Sequence, residues 1–260
     1  MAQQAKATWE ACLQELHLPT MRRECEAAAR QATQESWSYP DFLRELAERE
    51  VQQRRQNRIS RLLKDSRLPL EKSWPSLDLK RLPAKVTQQL RSLLSGDFLD
   101  RRENVLVFGT VGSGKTRSLC ALAQELVRRG RRILFTTTSL LVQDLLKAKR
   151  DLALKAALKQ LSRWEGLLID DLGYVQQSRE EMEVLFTLLA ERYERGSVLV
   201  TSNLAFSQWE QIFKDPMTTA AAIDRMVHHC VILELNVASY RAEAAKRAKQ
   251  AAPPESPPAP

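Results

Sequence analysis

Apolar positions recur along this chain in two rhythms. In the N-terminal quarter they come every three or four residues: Trp9, Cys12, Leu13 and Leu16, then Phe42, Leu43, Leu46, Ala47 and Val51, then Ile59, Leu62 and Leu63. That period belongs to helices with one face turned inward. It predicts helix over 5–34 with a break at Pro19, a turn at Ser38–Asp41 with Pro40 at a helix start, and a long helix beyond. After residue 100 the rhythm changes. Short strand-like stretches with apolar centres, Val105–Phe108, 131–137, Gly166–Ile169, Ser197–Val200 and Cys230–Leu235, alternate with helical patterns. Five such runs predict a parallel sheet covered by helices on both faces.

The intervening helices read off the same way. One over 85–99 carries Val86, Leu90, Leu93 and Leu94 and ends at Gly96; the next carries Leu119, Leu122, Ala123 and Leu126. Ser139 is positioned to cap a third, with Leu140, Leu141, Leu145 and Leu146. Residues 151–164 are helical, alanine- and lysine-rich. Ser178–Glu181 is a capping box before Met182, Leu185, Phe186, Leu188 and Leu189, and Ser207–Glu210 has the same form. Further helices are expected over 217–227 and 238–250. Pro69, Pro75 and Pro83 mark a linker lying on the domain that follows. The expected organisation is a helical N-terminal domain (1–68), a linker (69–84), an α/β domain (85–250) and a disordered Pro-rich tail (251–260).

Composition narrows the class. Of the 260 residues, 43% are hydrophobic and 28% charged, as in a soluble globular protein. No apolar run reaches membrane-spanning length, and the start lacks the apolar core of a signal peptide. Cys12, Cys25, Cys120 and Cys230 are scattered, which points to a reducing cytoplasm and away from a metal cluster. A net charge of +8 and a pI near 9.5 suit a polyanionic partner without proving one.

The most informative stretch is Gly109-Thr-Val-Gly-Ser-Gly-Lys-Thr116, set between an apolar run and a helical pattern. Strand, Gly-rich turn and helix are the context of a P-loop. Gly109, Gly112 and Gly114 let successive N–H groups curl inward onto phosphate oxygens, with Thr110, Val111 and Ser113 between them, and Arg117 follows in the helix. Lys115 supplies a charge for the β- and γ-phosphates, and the Thr116 hydroxyl suits Mg²⁺. Fifty-odd residues on, Gly166–Ile169 runs into Asp170-Asp171. A carboxylate at the C-terminal end of a buried strand sits where α/β sheets hold ligands. Asp170 is placed for the Mg²⁺ shell, mainly through water, and Asp171 for orienting and deprotonating a water. Asn203, at the exit of the Ser197–Val200 run, can reach between the phosphate-binding strands or merely close a turn. Arg54, Arg55, Arg58 and Arg61 form a basic run on the long N-terminal helix, either a solvated face or a phosphate-binding surface.

These segments resemble the IstB-type AAA+ ATPases, helper proteins of insertion-sequence transposition and relatives of the DnaC helicase loader. The resemblance spans about 9–249. It rests on Gly109–Thr116, Leu167–Tyr174, Thr201–Leu204, Ala222–His229 and Ser239–Arg241, with Leu16–Arg22 and Phe42–Leu46 as the helical leader. It implies an AAA+ core without a separate lid domain, ATP with Mg²⁺ as cofactors, and an oligomer whose ATP sites are shared between subunits. Asn203 would be sensor 1 and Arg225 the arginine finger. By itself, Arg225 would read as a surface arginine paired to Asp224 or a nearby acid. Implied partners are double-stranded DNA and a transposase, with no membrane. Two positions depart from the family pattern: Gly-Thr-Val-Gly-Ser-Gly replaces the usual Gly-Pro-Pro-Gly-Thr-Gly, and Arg117 stands where a His is usual. Neither removes a catalytic atom. The other readings are a DnaC-like loader of a replicative helicase and a small-molecule P-loop kinase, the latter disfavoured because Asn203 and Arg225 suit an oligomeric ATPase better.

Overall fold

The computed structural model describes residues 8–173, 178–213, 215–237 and 239. They form two compact units that divide between Arg61 and Leu62.

The first unit is helical. Helix α1 (Trp9–Glu15) is capped by Thr8, whose hydroxyl accepts from the Ala11 N–H; α2 spans Pro19–Gln34 and α3 spans Tyr39–Asp65, crossing into the second unit. The N-terminus of α2 has no cap of its own. Its exposed donors are met instead by Glu50 of α3, which accepts from the Thr20 N–H at 2.8 Å and the Met21 N–H at 3.0 Å. Arg54 completes the clamp, donating to Glu50 at 2.8 Å and to the His17 carbonyl. The stripe expected on α3 is only partly covered. Leu46 is buried, whereas Leu43 and Val51 are 59% and 64% exposed, because the buried row also contains the polar Glu50.

The second unit holds a five-stranded sheet: β1 (Asn104–Gly109), β2 (Ile133–Thr137), β3 (Gly166–Leu172), β4 (Ser197–Ser202) and β5 (Cys230–Leu235). All pairings are parallel, in the order β2-β3-β4-β1-β5. Both faces are covered, as expected from continuous rather than alternating apolar runs. Along β1, Leu106 joins one core with α7 (Thr138–Arg150), α9 (Arg179–Arg192) and α11 (Pro216–Val227); Val105 and Val107 join the other, with α4 (Ala84–Leu93) and α6 (Lys115–Arg128). The remaining helices are short: α5 (Asp97–Asp100), α8 (Leu154–Leu161) and α10 (Glu210–Phe213).

Two polar side chains pin the strand starts. Asn104 accepts from the Val198 N–H at 2.8 Å and donates to the Met226 carbonyl at 3.0 Å. The Arg192 guanidinium is buried and donates to the carbonyls of Leu161, Trp164, Glu165 and Ser197. Burial lowers its pKa to about 10, which leaves it cationic at neutral pH. The Pro-punctuated segment before α4 lies on α6. Gln124, fully buried, donates to the carbonyls of Pro69 and Lys72 at 2.8 and 3.1 Å.

Three local expectations need correction. Thr137, not Ser139, caps α7, because β2 runs straight into the helix. The box at Ser178–Glu181 forms, but Ser207–Glu210 instead makes a 3-10 turn followed by α10, with Trp209 buried and its Nε1–H on the Leu204 carbonyl. Gly96, at φ +85°, turns the chain into the additional short helix α5. Tyr174, Arg241, most of the helix expected over 238–250, and the tail over 251–260 lie outside the described residues.

Glu50→Gln should destabilise the first unit by about 1–3 kcal/mol, read as faster amide hydrogen exchange at Thr20 and Met21. Burial acts to raise the Glu50 pKa, but the bonds from Arg54, Met21 and Thr20 outweigh it and leave it below the usual 4.5. A lowered carboxylate pKa contributes stability above the unfolded value and loses it as pH falls through the folded value. Wild-type protection should therefore drop on acidification below pH 4.5, a step the Gln variant should lack.

Candidate nucleotide site

A cleft of about 610 Å³ opens at the C-terminal ends of the strands. Its walls include Val111–Ser118, Asp170, Asp171 and Asn203. Parallel sheets place ligands at this end, beyond the carboxyl ends of their strands.

The loop between β1 and α6 is tightly constrained. Gly112 has φ +81°, and a Cβ there would run into the Ser239 side chain; a Cβ on Gly109 would lie 2.5 Å from the Leu235 carbonyl oxygen. Glycine is thus required by conformation and by close approach. Thr110 donates to the Val237 carbonyl at 3.5 Å. Lys115, only 8% exposed, curls back so that its ammonium donates to the Gly109 and Thr110 carbonyls at 2.8 and 2.9 Å. The Ser113 hydroxyl is buried and has no hydrogen-bond partner among the described residues. A buried cation and an orphaned hydroxyl at a helix N-terminus fit a bound polyphosphate.

Asp170 lies at the centre of the metal side. It is 5% exposed, and its Oδ1 accepts from Thr116 Oγ1 at 2.8 Å and from Thr201 Oγ1 at 2.5 Å. Its backbone carbonyl accepts from Thr138 Oγ1 at 2.9 Å. The paired hydroxyl and carboxylate suit a hard, oxygen-loving cation. Thr116 and Asp170 would hold Mg²⁺, which when bound draws charge from the phosphates.

Successive strand residues point to opposite faces, yet Asp170 and Asp171 both line the cleft. A register shift between Ile169 and Leu172 explains this. Asp171 adopts φ +59° and is exposed where Asp170 is buried. Bulges near sites re-aim side chains in this way. The Asp171 N–H donates to Thr201 Oγ1 at 2.9 Å, so one threonine fixes both aspartates. Asn203 is exposed at the exit of β4.

Sequence reasoning missed one wall. Lys72, Leu77, Asp78, Arg81 and Leu82 line the cleft, and Arg117 donates to the Ser76 carbonyl at 3.2 Å. Only the folding of the proline-rich segment onto α6 brings these residues near the P-loop. Thr201 was legible only as part of a strand exit.

The other candidates lie elsewhere. Arg225 is on α11, its guanidinium 4.7 Å from the Phe186 ring centroid and bonded to the Ala221 carbonyl at 3.2 Å. Its backbone carbonyl meets Asn104 at the start of β1, whereas the P-loop leaves the end of that strand. At ~3.3 Å per residue, five steps put roughly 17 Å between those two ends. In the first unit Arg54 is engaged with Glu50 and His17. Arg55, Arg58 and Arg61 are exposed and make no ion pair among the described residues.

Fold and cleft together define a P-loop AAA+ ATPase. Residues 11–248 match the family described as IstB-like ATP binding protein, and the chain belongs to it. An insertion-sequence ATP-binding protein of Sinorhizobium fredii is 40% identical over 239 residues, covering 92% of this chain and 80% of that protein. The ATP-binding protein of insertion sequence IS5376 from Geobacillus stearothermophilus is 34% identical over 226 residues, covering 87% and 90%. Among solved structures, AMPPCP-bound DnaA from Aquifex aeolicus shares the fold with a TM-score of 0.56 at 14% identity, over 73% of this chain and 58% of that one.

Lys115→Ala should lower ATP affinity at least tenfold, because the cleft loses the buried cation nearest the phosphate loop. Calorimetric titration with a non-hydrolysable ATP analogue measures it.

Proposed function

We propose that this chain is an oligomerising, DNA-binding ATPase that helps a transposase select and remodel target DNA. The observation that carries the shared-site reading is the position of Arg225. Its backbone carbonyl lies at the start of β1 and its guanidinium is held by Phe186 and the Ala221 carbonyl, so Arg225 is not among the residues lining the cleft at the other end of that strand. It therefore serves the nucleotide of a neighbouring subunit. The insertion-sequence relatives support the transposition context over helicase loading.

Within this reading Lys115 neutralises the β- and γ-phosphates, and Gly109–Arg117 binds the nucleotide. Asp171 takes a proton from the attacking water, and Asn203 positions that water or the γ-phosphate. Arg225 stabilises charge on the transferring phosphoryl group. Residues 1–68 are the helical leader and 85–250 the ATPase core. Arg55, Arg58 and Arg61 face duplex phosphates, while Arg54 is held mainly by the Glu50 clamp. No helix among the described residues is long and apolar enough to cross a membrane. The four cysteines are unpaired, which supports a cytoplasmic setting.

Asp171→Asn should bind ATP normally and lose about 10²–10⁴-fold in turnover, since an amide accepts no proton. Arg225→Ala should also bind ATP and hydrolyse it on the order of 10³-fold more slowly. Mixed with Lys115→Ala protein it should regain activity, because one kind of mixed interface joins two intact halves. An absence of recovery at every mixing ratio would contradict the shared site.

A further inference from the structure

Strands favour β-branched and aromatic side chains, and asparagine is depleted from them. Yet β1 opens on Asn104, buried ahead of Val105, Leu106 and Val107. Both ends of its amide are used. The Oδ1 accepts from the Val198 N–H of β4 at 2.8 Å, and the Nδ2 donates to the Met226 carbonyl at 3.0 Å and the Arg225 carbonyl at 3.4 Å. Its backbone N–H donates to the His229 carbonyl at 2.8 Å. One side chain must accept from a strand and donate to a helix here. An ionised aspartate or a leucine of similar size cannot do both.

The carbonyls that Asn104 meets are at the end of α11. The last carbonyls of a helix have no partner within it. In α11 the Asp224 carbonyl is met by the His228 N–H, and those of Arg225 and Met226 are met by Asn104. The last helical turn is therefore fastened to the sheet at the very residue that carries the guanidinium. A second tie joins the exposed Tyr193 hydroxyl and His228 Nδ1, 3.2 Å apart, where water can replace either partner. Beyond its backbone, the Arg225 side chain rests on the Phe186 ring and the Ala221 carbonyl. Rotation about its own dihedrals breaks those contacts without moving the helix.

We propose that Asn104 is a positioning residue for the Arg225 that serves the neighbouring subunit. It holds the end of α11 still while the side chain leaves Phe186 for the neighbour's γ-phosphate. The inference rests on the shared-site reading above and deepens it. Strand β1 then serves two sites. Gly109, at its end, opens the phosphate loop of its own subunit, and Asn104, at its start, anchors the cation offered to the next. A misplacement of about 1 Å arising far from the chemistry can cost about 10²-fold in rate, so a fixed helix end matters even for a long side chain.

Two full-length variants test it. Asn104→Asp separates the two ties, because an ionised carboxylate still accepts from the Val198 N–H but repels the α11 carbonyls. Asn104→Ser removes both ties without adding charge. Each is measured for affinity toward a non-hydrolysable ATP analogue and for turnover, alone and in mixtures. Each should bind the analogue within about twofold of wild type and hydrolyse ATP about 10²-fold more slowly. Mixed with Lys115→Ala protein, each should regain turnover. Mixed with Arg225→Ala protein, neither should at any ratio, because every site then lacks a well-placed cation. A residue that merely supported the fold would weaken both halves of the site and would not sort between the two partners. With Lys115→Ala and Arg225→Ala recovering in their own mixture, any of four results overturns the positioning role: wild-type turnover, loss of analogue binding in both variants, recovery with Arg225→Ala, or no recovery with Lys115→Ala. If that control mixture itself stays inactive, the shared site falls and the role of Asn104 falls with it.

Discussion

A carboxylate taken out of water must be given hydrogen bonds by its surroundings, and the nucleotide end of this sheet is arranged around that of Asp170. Its partners come from different elements: Thr116 from the first turn of α6, Thr201 from β4 and, through the backbone, Thr138 from α7. Thr201 also takes the Asp171 N–H, so the bulge that re-aims Asp171 hangs on the same hydroxyl. The positions of the P-loop helix, two strands and both aspartates are thereby set by one buried oxygen and its neighbours. Loss of the Thr116 or the Thr201 hydroxyl leaves that oxygen underbonded and loosens the groups around it.

The far end of the sheet is organised on different terms. Asn104 ties the start of β1 to β4 and to α11, which carries Arg225. Rigid strands connect the two ends, so the spacing between the cleft and Arg225 is fixed by strand length rather than by a flexible loop. A subunit built this way presents a cleft at one end and a cation at the other. In the proposed oligomer, copies stacked head to tail would bring the two together once the Arg225 side chain leaves Phe186. Such heterologous contacts make rings or helices according to whether the rotation closes.

Much of this was legible from residue order alone. The five apolar runs gave five parallel strands because strands buried on both faces need no alternation. The P-loop and Asp170-Asp171 were readable because phosphate and metal chemistry restrict residue type at fixed spacing. What escaped was what depends on tertiary packing. The wall around Asp78 and Arg81 exists because Gln124 and Arg117 draw a proline-rich segment onto α6. The burial of Glu50 at the N-terminal end of α2 follows only from the packing of two helices. Trp209 overrode a local capping pattern because a large apolar ring gains more from burial than a cap contributes.

A site shared between subunits makes hydrolysis depend on two copies of the chain. It is tested most directly by a structure of the oligomer with Mg²⁺ and a non-hydrolysable ATP analogue. In that structure Arg225 of one subunit should be released from Phe186 and lie within hydrogen-bonding distance of the γ-phosphate held by the next subunit's Lys115. An ordered oligomer in which Arg225 stays on Phe186, with every γ-phosphate contact supplied by the subunit that binds it, would contradict the account.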